Sequence, residues 1–371
     1  METIKKHIVH LTFNMGMGGA EQVITNLVEH TDKTRYTVSI LCLEEPVGAF
    51  GKQLIEKGVQ VASFRRKPGF DTSLVGQIRR YLKRHQVAIL HCHQYTPYVY
   101  GLSAAVFTST KVIFTEHGRF FPDKRRRKRV LLNPLLNRFT AYITAISVAT
   151  KDALIQYENF PSEKIKVIYN GLDDARYLLP PDVGLKKELG LPVSARIMGT
   201  VGRLDSIKNQ KMMIKALRQV RVSSPETVLL IVGDGPERRN LEAFVAELGL
   251  TSHVIFTGFR EDVHRFFSLM DVFLLTSFSE GTAMTILEAM ASGLPTIVTD
   301  VGGNPEIVEA GKTGFVISSD DEKALADRIL SFFNNPNTMK TMGQAGRAHF
   351  ENHFTVDKMV QAYEALYEGN A

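Results

Sequence analysis

Cysteine is scarce. Only Cys42 and Cys92 occur in 371 residues, both inside apolar runs that read as strands. That excludes a disulfide scaffold and points to reduced, buried thiols in a cytosolic protein. Long apolar runs are missing as well. Stretches such as Ala141 to Ile146 fall far short of the roughly 20 residues that a membrane-spanning helix needs. The amino-terminal residues Met1 to Lys6 lead straight into an apolar run, without the core or small-residue cleavage site of a secretory signal, so a cytoplasmic protein is expected. There is no low-complexity tract, and 44% apolar with 23% charged residues is ordinary for a globular chain. No Asp-x-Asp occurs, so the clustered carboxylates of a divalent-metal site are absent; Asp320-Asp321-Glu322 reads as the start of a surface helix. At about 100–200 residues per domain, the length predicts two domains with room for a third.

Positive charge is unevenly shared. Residues 1–175 hold 25 Lys and Arg against 15 Asp and Glu, net +10, while residues 176–371 hold 20 against 24, net −4, making the chain's +6. Two units with different partners are implied. Much of the excess lies in Arg65-Arg66-Lys67, in Arg79-Arg80 with Lys83-Arg84, and in Lys124-Arg125-Arg126-Arg127-Lys128-Arg129. Solvated faces, nucleic acid and an anionic membrane surface all fit such clusters.

Short apolar runs near 7–13, 37–43, 59–64, 87–93, 111–115, 141–146 and 165–168 alternate with helical patterns such as Ala20 to His30 and Ser73 to His85. Continuous apolar strands suit a parallel sheet covered on both faces. Tyr169 to Leu191 breaks the rhythm with Asn170-Gly171, Pro180-Pro181, Gly184 and Gly190, and reads as a linker. The alternation then restarts, with strands at 195–201, 227–232, 253–257, 271–275 and 295–299 and helices at 208–222, 236–248, 283–292 and 321–333. The expected fold class is α/β, with two doubly wound Rossmann-like domains over 1–175 and 176–350. A tail over 351–371 carries an amphipathic helix, Val356 to Tyr367, suited to pack back on the first domain. Ligands of such sheets bind beyond the carboxyl ends of the strands, so a site in a cleft between facing domains is expected.

The first strand runs into a glycine loop, Asn14-Met15-Gly16-Met17-Gly18-Gly19-Ala20-Glu21. Gly16 and Gly18 match the first two glycines of a dinucleotide fingerprint, and Glu44 ends the second strand as a ribose ligand would. The third glycine fails, because position 21 is Glu. A tight turn without ligand and a glycine loop flooring a cleft remain alongside.

The most specific stretch is Ser279 to Pro295. A strand over Val272 to Leu275 leads to a loop with Glu280 and Gly281, then to a helix beginning near Thr282, with Glu288 about two turns in. The first turn offers the N–H groups of Thr282, Ala283 and Met284 to an anion. Glu280 and Glu288 suit hydroxyl groups, so phosphate flanked by hydroxyls at both ends, a sugar nucleotide, fits the segment.

This segment resembles the Glu-x7-Glu signature of retaining GT-B glycosyltransferases of family 4. Further motifs follow in the family's order: the glycine loop; 167–173 as the domain crossover; Val201 to Leu204 with Lys208 as the phosphate-binding pair; Thr257 to Arg260, followed by Asp262, as the nucleobase loop; and the glycine turn over 299–306. The resemblance covers nearly the whole chain. It implies an acceptor-binding first domain and a donor-binding second domain. Gly16, Gly18 and Gly19 would line the donor. Arg203 and Lys208 would neutralise the leaving diphosphate, work that otherwise needs a metal. Glu288 would hold the ribose, Glu280 the sugar, and the backbone of Phe259 and Arg260 the base. His117, at a strand's carboxyl end, would contact the donor sugar, with Glu116 and His93 as acceptor-side candidates. His91 and His93 share a strand face, but no paired cysteine completes a zinc set, so no metal and no cofactor are expected.

The implied activity is retaining transfer from a uridine diphosphate sugar, with guanosine diphosphate mannose next, to a saccharide or lipid-linked saccharide in cell-surface polysaccharide synthesis. A sugar-nucleotide epimerase and a non-catalytic sugar-nucleotide-binding module are the alternatives. With Phe120-Phe121 before it and Leu131-Leu132 after, the basic run from Lys124 to Arg129 fits a peripheral helix on the anionic cytoplasmic leaflet. No nucleic-acid motif accompanies it.

Overall fold

The computed structural model describes residues 5–118 and 124–369. Phe120 and Phe121 lie outside the described residues. The chain forms two compact units, Met1–Gly171 with Val356–Ala371, and Leu172–Thr355.

The first unit carries β1 (Lys6–Thr12), β2 (Tyr36–Cys42), β3 (Gln60–Ser63), β4 (Ile89–His93), β5 (Lys111–Glu116), β6 (Tyr142–Ala145) and β7 (Ile165–Val167). They form one parallel sheet ordered β3-β2-β1-β4-β5-β6-β7. The second carries β8 (Arg196–Val201), β9 (Thr227–Val232), β10 (Val254–Phe256), β11 (Val272–Leu275), β12 (Thr296–Thr299) and β13 (Gly314–Ile317), ordered β10-β9-β8-β11-β12-β13. In both sheets the first strand lies beside the fourth, where the winding reverses and ligands of doubly wound sheets bind. The central strands are buried over most of their length: Leu11, Leu41, Leu90 and Phe114 in one core, Met198, Leu229, Leu274 and Ile297 in the other.

Five helices matter below: α1 (Gly19–His30), α2 (Arg127–Asn137), α3 (Met284–Ala291), α4 (Pro336–His353) and α5 (Val356–Glu368). The expected boundaries need correction. The crossover falls between Gly171 and Leu172, and the return between Thr355 and Val356. A cut at 350 would sever α4, which stays with the second unit. Only α5 returns to the first, where Tyr367 meets His91 at 2.8 Å and Glu364 accepts the Asp32 N–H at 2.8 Å. Neither α4 nor β13 was legible. The α4 sequence is rich in Asn, Thr and Gly, poor helix formers, but a Cβ on Gly343 would stand 2.1 Å from the Gly293 carbonyl oxygen. Tertiary approach, not propensity, demands that residue.

Cys42 and Cys92 are unpaired and buried, and burial pushes the Cys42 thiol up to about 12 and Cys92 higher still. Both are inert at neutral pH. Among the described residues no helix is long and apolar enough to cross a membrane.

Candidate functional site

In the second unit, the loops after β8, β11 and β12 are stitched together by backbone. The Thr276 hydroxyl donates to the carbonyls of Lys208 (3.2 Å) and Asn209 (3.0 Å), and the Phe278 N–H to that of Ile207 (2.8 Å). From the β12 side, the Thr299 hydroxyl donates to the Ser277 carbonyl at 2.7 Å and the Gly303 N–H to that of Gly281 at 3.0 Å. Into this frame point Lys208 and Glu280, paired at 2.6 Å, with the Ser277 hydroxyl 2.5 Å from the same carboxylate oxygen. Lys208 sits on a short 3-10 turn, Ser206–Lys208, and not in a helix from 208 as expected. Asn209, left-handed at φ 49°, separates that turn from the helix Gln210–Ser223.

The helix start also needs correction. Ala283 is the extended cap residue and α3 begins at Met284, two residues later than read from the sequence. Thr282 therefore precedes the helix, and the Met284 and Thr285 N–H groups open its amino end. Glu288 is the fifth residue of α3, little more than one turn in. Its carboxylate accepts the Tyr177 hydroxyl at 2.9 Å, and Tyr177 itself packs edge-on against Phe267 at 6.0 Å. Tyr177 escaped the sequence reading because it lies in the linker and carries no motif.

Burial pushes the Glu288 carboxyl up to about 7, and the Tyr177 hydrogen bond opposes the shift. A raised carboxylate makes the folded state bind the extra proton between the ordinary carboxylate range and pH 7, so stability falls as pH rises through that window. Glu288→Gln is expected to flatten this part of the Tm–pH profile and to raise Tm at pH 8. A wild-type profile that is flat from pH 4.5 to 7.5 would refute it.

The remaining donor-side positions are less gathered. Arg203 follows β8, but its side chain is 71% exposed and its nearest charge is Asp205 at 3.8 Å. The structure does not bring it onto Glu280. Phe259 is 57% exposed. The Arg260 guanidinium is held by Asp262 (2.9 and 3.0 Å) and lies over the Phe266 ring.

In the first unit, Gly16 and Gly18 form the loop before α1, and Gly19 is the first helical residue. A Cβ on Gly48 would stand 2.5 Å from the Gly16 Cα, so the loop is clamped from the β2 side. Glu21 folds toward Gly18, and burial raises its carboxyl.

Glu116 is buried at the end of β5, with His117 just beyond it. His93 was expected to reach an acceptor. It is instead fully buried, with Nε2 2.9 Å from His10 Nδ1 and Nδ1 2.8 Å from His117 Nε2. His91 bonds Tyr367 and the Thr115 hydroxyl (2.7 Å). His10, His91 and His93 do bring nitrogens within 4.8 Å of one another. His10 stacks over His93 with 26° between planes and bonds it at 2.9 Å, while the His91 nitrogens bond Tyr367 and Thr115. A shallow depression of about 460 Å³, lined among others by Lys6, Lys83, Lys111 and Tyr367, opens at the amino ends of β1, β4 and β5. It is at the opposite edge of the sheet from His117, although Tyr367 on its wall bonds His91.

The basic run divides. Lys124, Arg125, Arg126, Arg127 and Lys128 are exposed, as are Leu131 (82%), Leu135 (56%) and Phe139 (48%). Arg129 is not part of that face: it pairs with Glu158 at 2.7 Å and covers the Tyr95 ring at 3.7 Å.

Comparison with known proteins identifies the family and the fold. Residues 17–176 match the family described as Glycosyltransferase Family 4, and residues 184–349 match Glycosyl transferases group 1. The chain is 28% identical over 306 residues to the N-acetyl-alpha-D-glucosaminyl L-malate synthase of Bacillus anthracis, covering 81% of this chain and 79% of that protein. It is 25% identical over 382 residues to the UDP-Gal:alpha-D-GlcNAc-diphosphoundecaprenol alpha-1,3-galactosyltransferase of Escherichia coli, covering 98% and 97%. The crystal structure of Anabaena HepE in complex with UDP-glucose superposes with a TM-score of 0.86 at 26% identity, covering 98% of this chain and 99% of that one.

Proposed function

The chain belongs to the GT-B glycosyltransferases of family 4, and on that premise we propose that it moves a sugar from a uridine diphosphate sugar to a saccharide or lipid-linked saccharide in cell-surface polysaccharide synthesis. The transfer retains configuration and needs no metal. The observation that carries this reading is the Lys208–Glu280 pair beside the amino end of α3, with Glu288 on the same helix. A fixed ammonium and the first N–H groups of α3 suit a diphosphate, and Glu288 suits ribose hydroxyls. The solved relative bound to UDP-glucose supports uridine as the base.

In the proposed reaction the acceptor hydroxyl enters on the face from which the diphosphate departs. The bond from the anomeric carbon to the diphosphate oxygen breaks, that carbon bonds the acceptor oxygen, and a diphosphate oxygen takes the acceptor's proton. Lys208 and Arg203 stabilise the negative charge that grows on the leaving group. Glu280, held by Lys208 and Ser277, orients the sugar, and the role of His117 as a sugar contact is part of the same proposal. The donor-lining role of Gly16, Gly18 and Gly19 and the acceptor role of Glu116 belong to the same proposal. A thermal-shift panel of nucleotide sugars followed by turnover with the best ligand tests it. Donor hydrolysis or transfer in the presence of a chelator is expected; turnover that stops when divalent ions are removed would refute the metal-free route.

The acceptor side favours an anionic membrane surface, here the cytoplasmic leaflet. The exposed cations of α2 and the segment before it lie beside exposed Leu131, Leu135 and Phe139, as an interfacial helix requires. Each basic residue near such a surface contributes about 1 kcal/mol. Replacing Lys124, Arg125, Arg126, Arg127 and Lys128 by serine is therefore expected to weaken binding to anionic vesicles at least about 100-fold. Equal sedimentation of both proteins would end this reading.

A further inference from the structure

We propose that His10 and His93, which lie inside the sheet, set the tautomer of His117. The three imidazoles form a directional row whose protons all point toward His117, leaving its Nδ1–H as a fixed donor at the carboxyl edge. The proposal rests on the reading of His117 as the sugar-facing histidine and makes His10 and His93 positioning residues for transfer.

Strand register builds the row. His10 on β1 is the partner of His91 on β4, and His93 on β4 is the partner of Thr115 on β5. Register partners point to the same face, and so do residues two apart. From His10 to His93 and from His93 to His117, each step therefore crosses one strand and advances two residues. The row starts inside the sheet and ends at the edge where ligands bind. Its two links are 2.9 Å and 2.8 Å long. His91 lies against His93, ring centroids 4.2 Å apart, but Tyr367 and Thr115 occupy its nitrogens, so it packs beside the row without joining it.

Burial holds His10 and His117 near 3, and His91 and His93 well below their ordinary value, so all four are neutral at physiological pH. A neutral imidazole has one N–H and one lone pair. Two head-to-tail links then permit only two states, with every proton pointing toward His117 or every proton pointing away. The outer atoms, His10 Nε2 and His117 Nδ1, are buried and have no hydrogen-bond partner among the described residues. In the backbone, a buried donor without an acceptor is rarer than an under-used acceptor. By the same economy the blind end at His10 carries the bare nitrogen. The proton-bearing end is then His117 Nδ1, the terminus of the row at the strands' carboxyl edge. A histidine free in water favours the other tautomer, so this state needs the row to impose it.

Ring-nitrogen NMR of the whole protein labelled at histidine tests the row without reference to activity. Wild type is expected to show His117 protonated on Nδ1 and bare on Nε2. His10→Leu is expected to reverse that state from two hydrogen bonds away. His10→Asn, whose amide N–H reaches the place of Nδ1, is expected to restore it. In transfer assays, His10→Leu is expected to lower kcat about tenfold, the worth of one hydrogen bond, with the donor KM nearly unchanged, and His10→Asn to recover most of the loss. A wild-type His117 protonated on Nε2, or unchanged His117 signals in His10→Leu, overturns the row whatever the activity. A reversed tautomer with undiminished kcat overturns the positioning role. Full activity in His117→Ala would instead remove the sugar-facing reading, and the spectra would still judge the row.

Discussion

Lys208→Ala is expected to lower kcat/KM for sugar transfer by about 100- to 1,000-fold, the usual cost of removing one group that stabilises developing negative charge. The ammonium has two tasks. It neutralises Glu280, whose side chain is only 10% exposed, and in the proposed reaction it meets the departing diphosphate. The two are separable by a second substitution. If Lys208 served Glu280 alone, Glu280→Gln would remove the unpaired charge and restore much of the lost activity of Lys208→Ala. If the diphosphate is its main client, the double variant stays as poor as the single one or worse. Circular dichroism and Tm near wild type are expected for Lys208→Ala, because the stitching of its loop runs through carbonyl groups that survive the change. Full transfer activity in Lys208→Ala would remove the residue from the site and take the metal-free argument with it.

Gly302→Ala is expected to be the most damaging single methyl group in the second unit. Gly302 has φ +52°, and a Cβ there would stand 1.8 Å from the Glu280 carbonyl oxygen and 2.8 Å from its carbon. Neither contact is with a flexible side-chain end, so the β12 turn and the Glu280 loop must part. Left-handed strain costs about 1–3 kcal/mol, and overpacking adds about 1–3 kcal/mol. Gly311 is the internal control: φ is +79° but nothing lies within 4 Å of its Cβ position. Gly311→Ala should show the strain alone and leave donor binding intact. Gly302→Ala should show a larger fall in Tm and lose donor binding. Equal Tm shifts in the two variants would mean that the loops yield and that the close approach does not hold the site.

How much of this was legible in the chain depended on the kind of signal. Period and apolar continuity located nearly all the strands, because a strand buried on both faces must be apolar throughout. They missed β13, a four-residue edge strand, and α4, whose composition argues against a helix. Glu280 and Glu288 stood out because hydroxyl and phosphate chemistry suits carboxylates around a helix start, and Lys208 because its stretch resembles a family motif. Their neighbours were invisible: Tyr177 sits in a linker, Ser277 is one serine among many, and His10 reads as one more strand residue.

Residue order alone therefore determined the two α/β arrays, the linker between them, and the segment that gathers carboxylates around a helix start. Those features follow from local periodicity and from chemistry written into contiguous stretches. Only the folded chain decided which side chains share a charge. It joined Lys208 to Glu280, withdrew Arg129 from the basic face, moved the α3 start to Met284, and made His93, an acceptor-side candidate, the link between His10 and His117. Such pairings connect strands and loops far apart in sequence. They depend on sheet order and register, which no local pattern encodes.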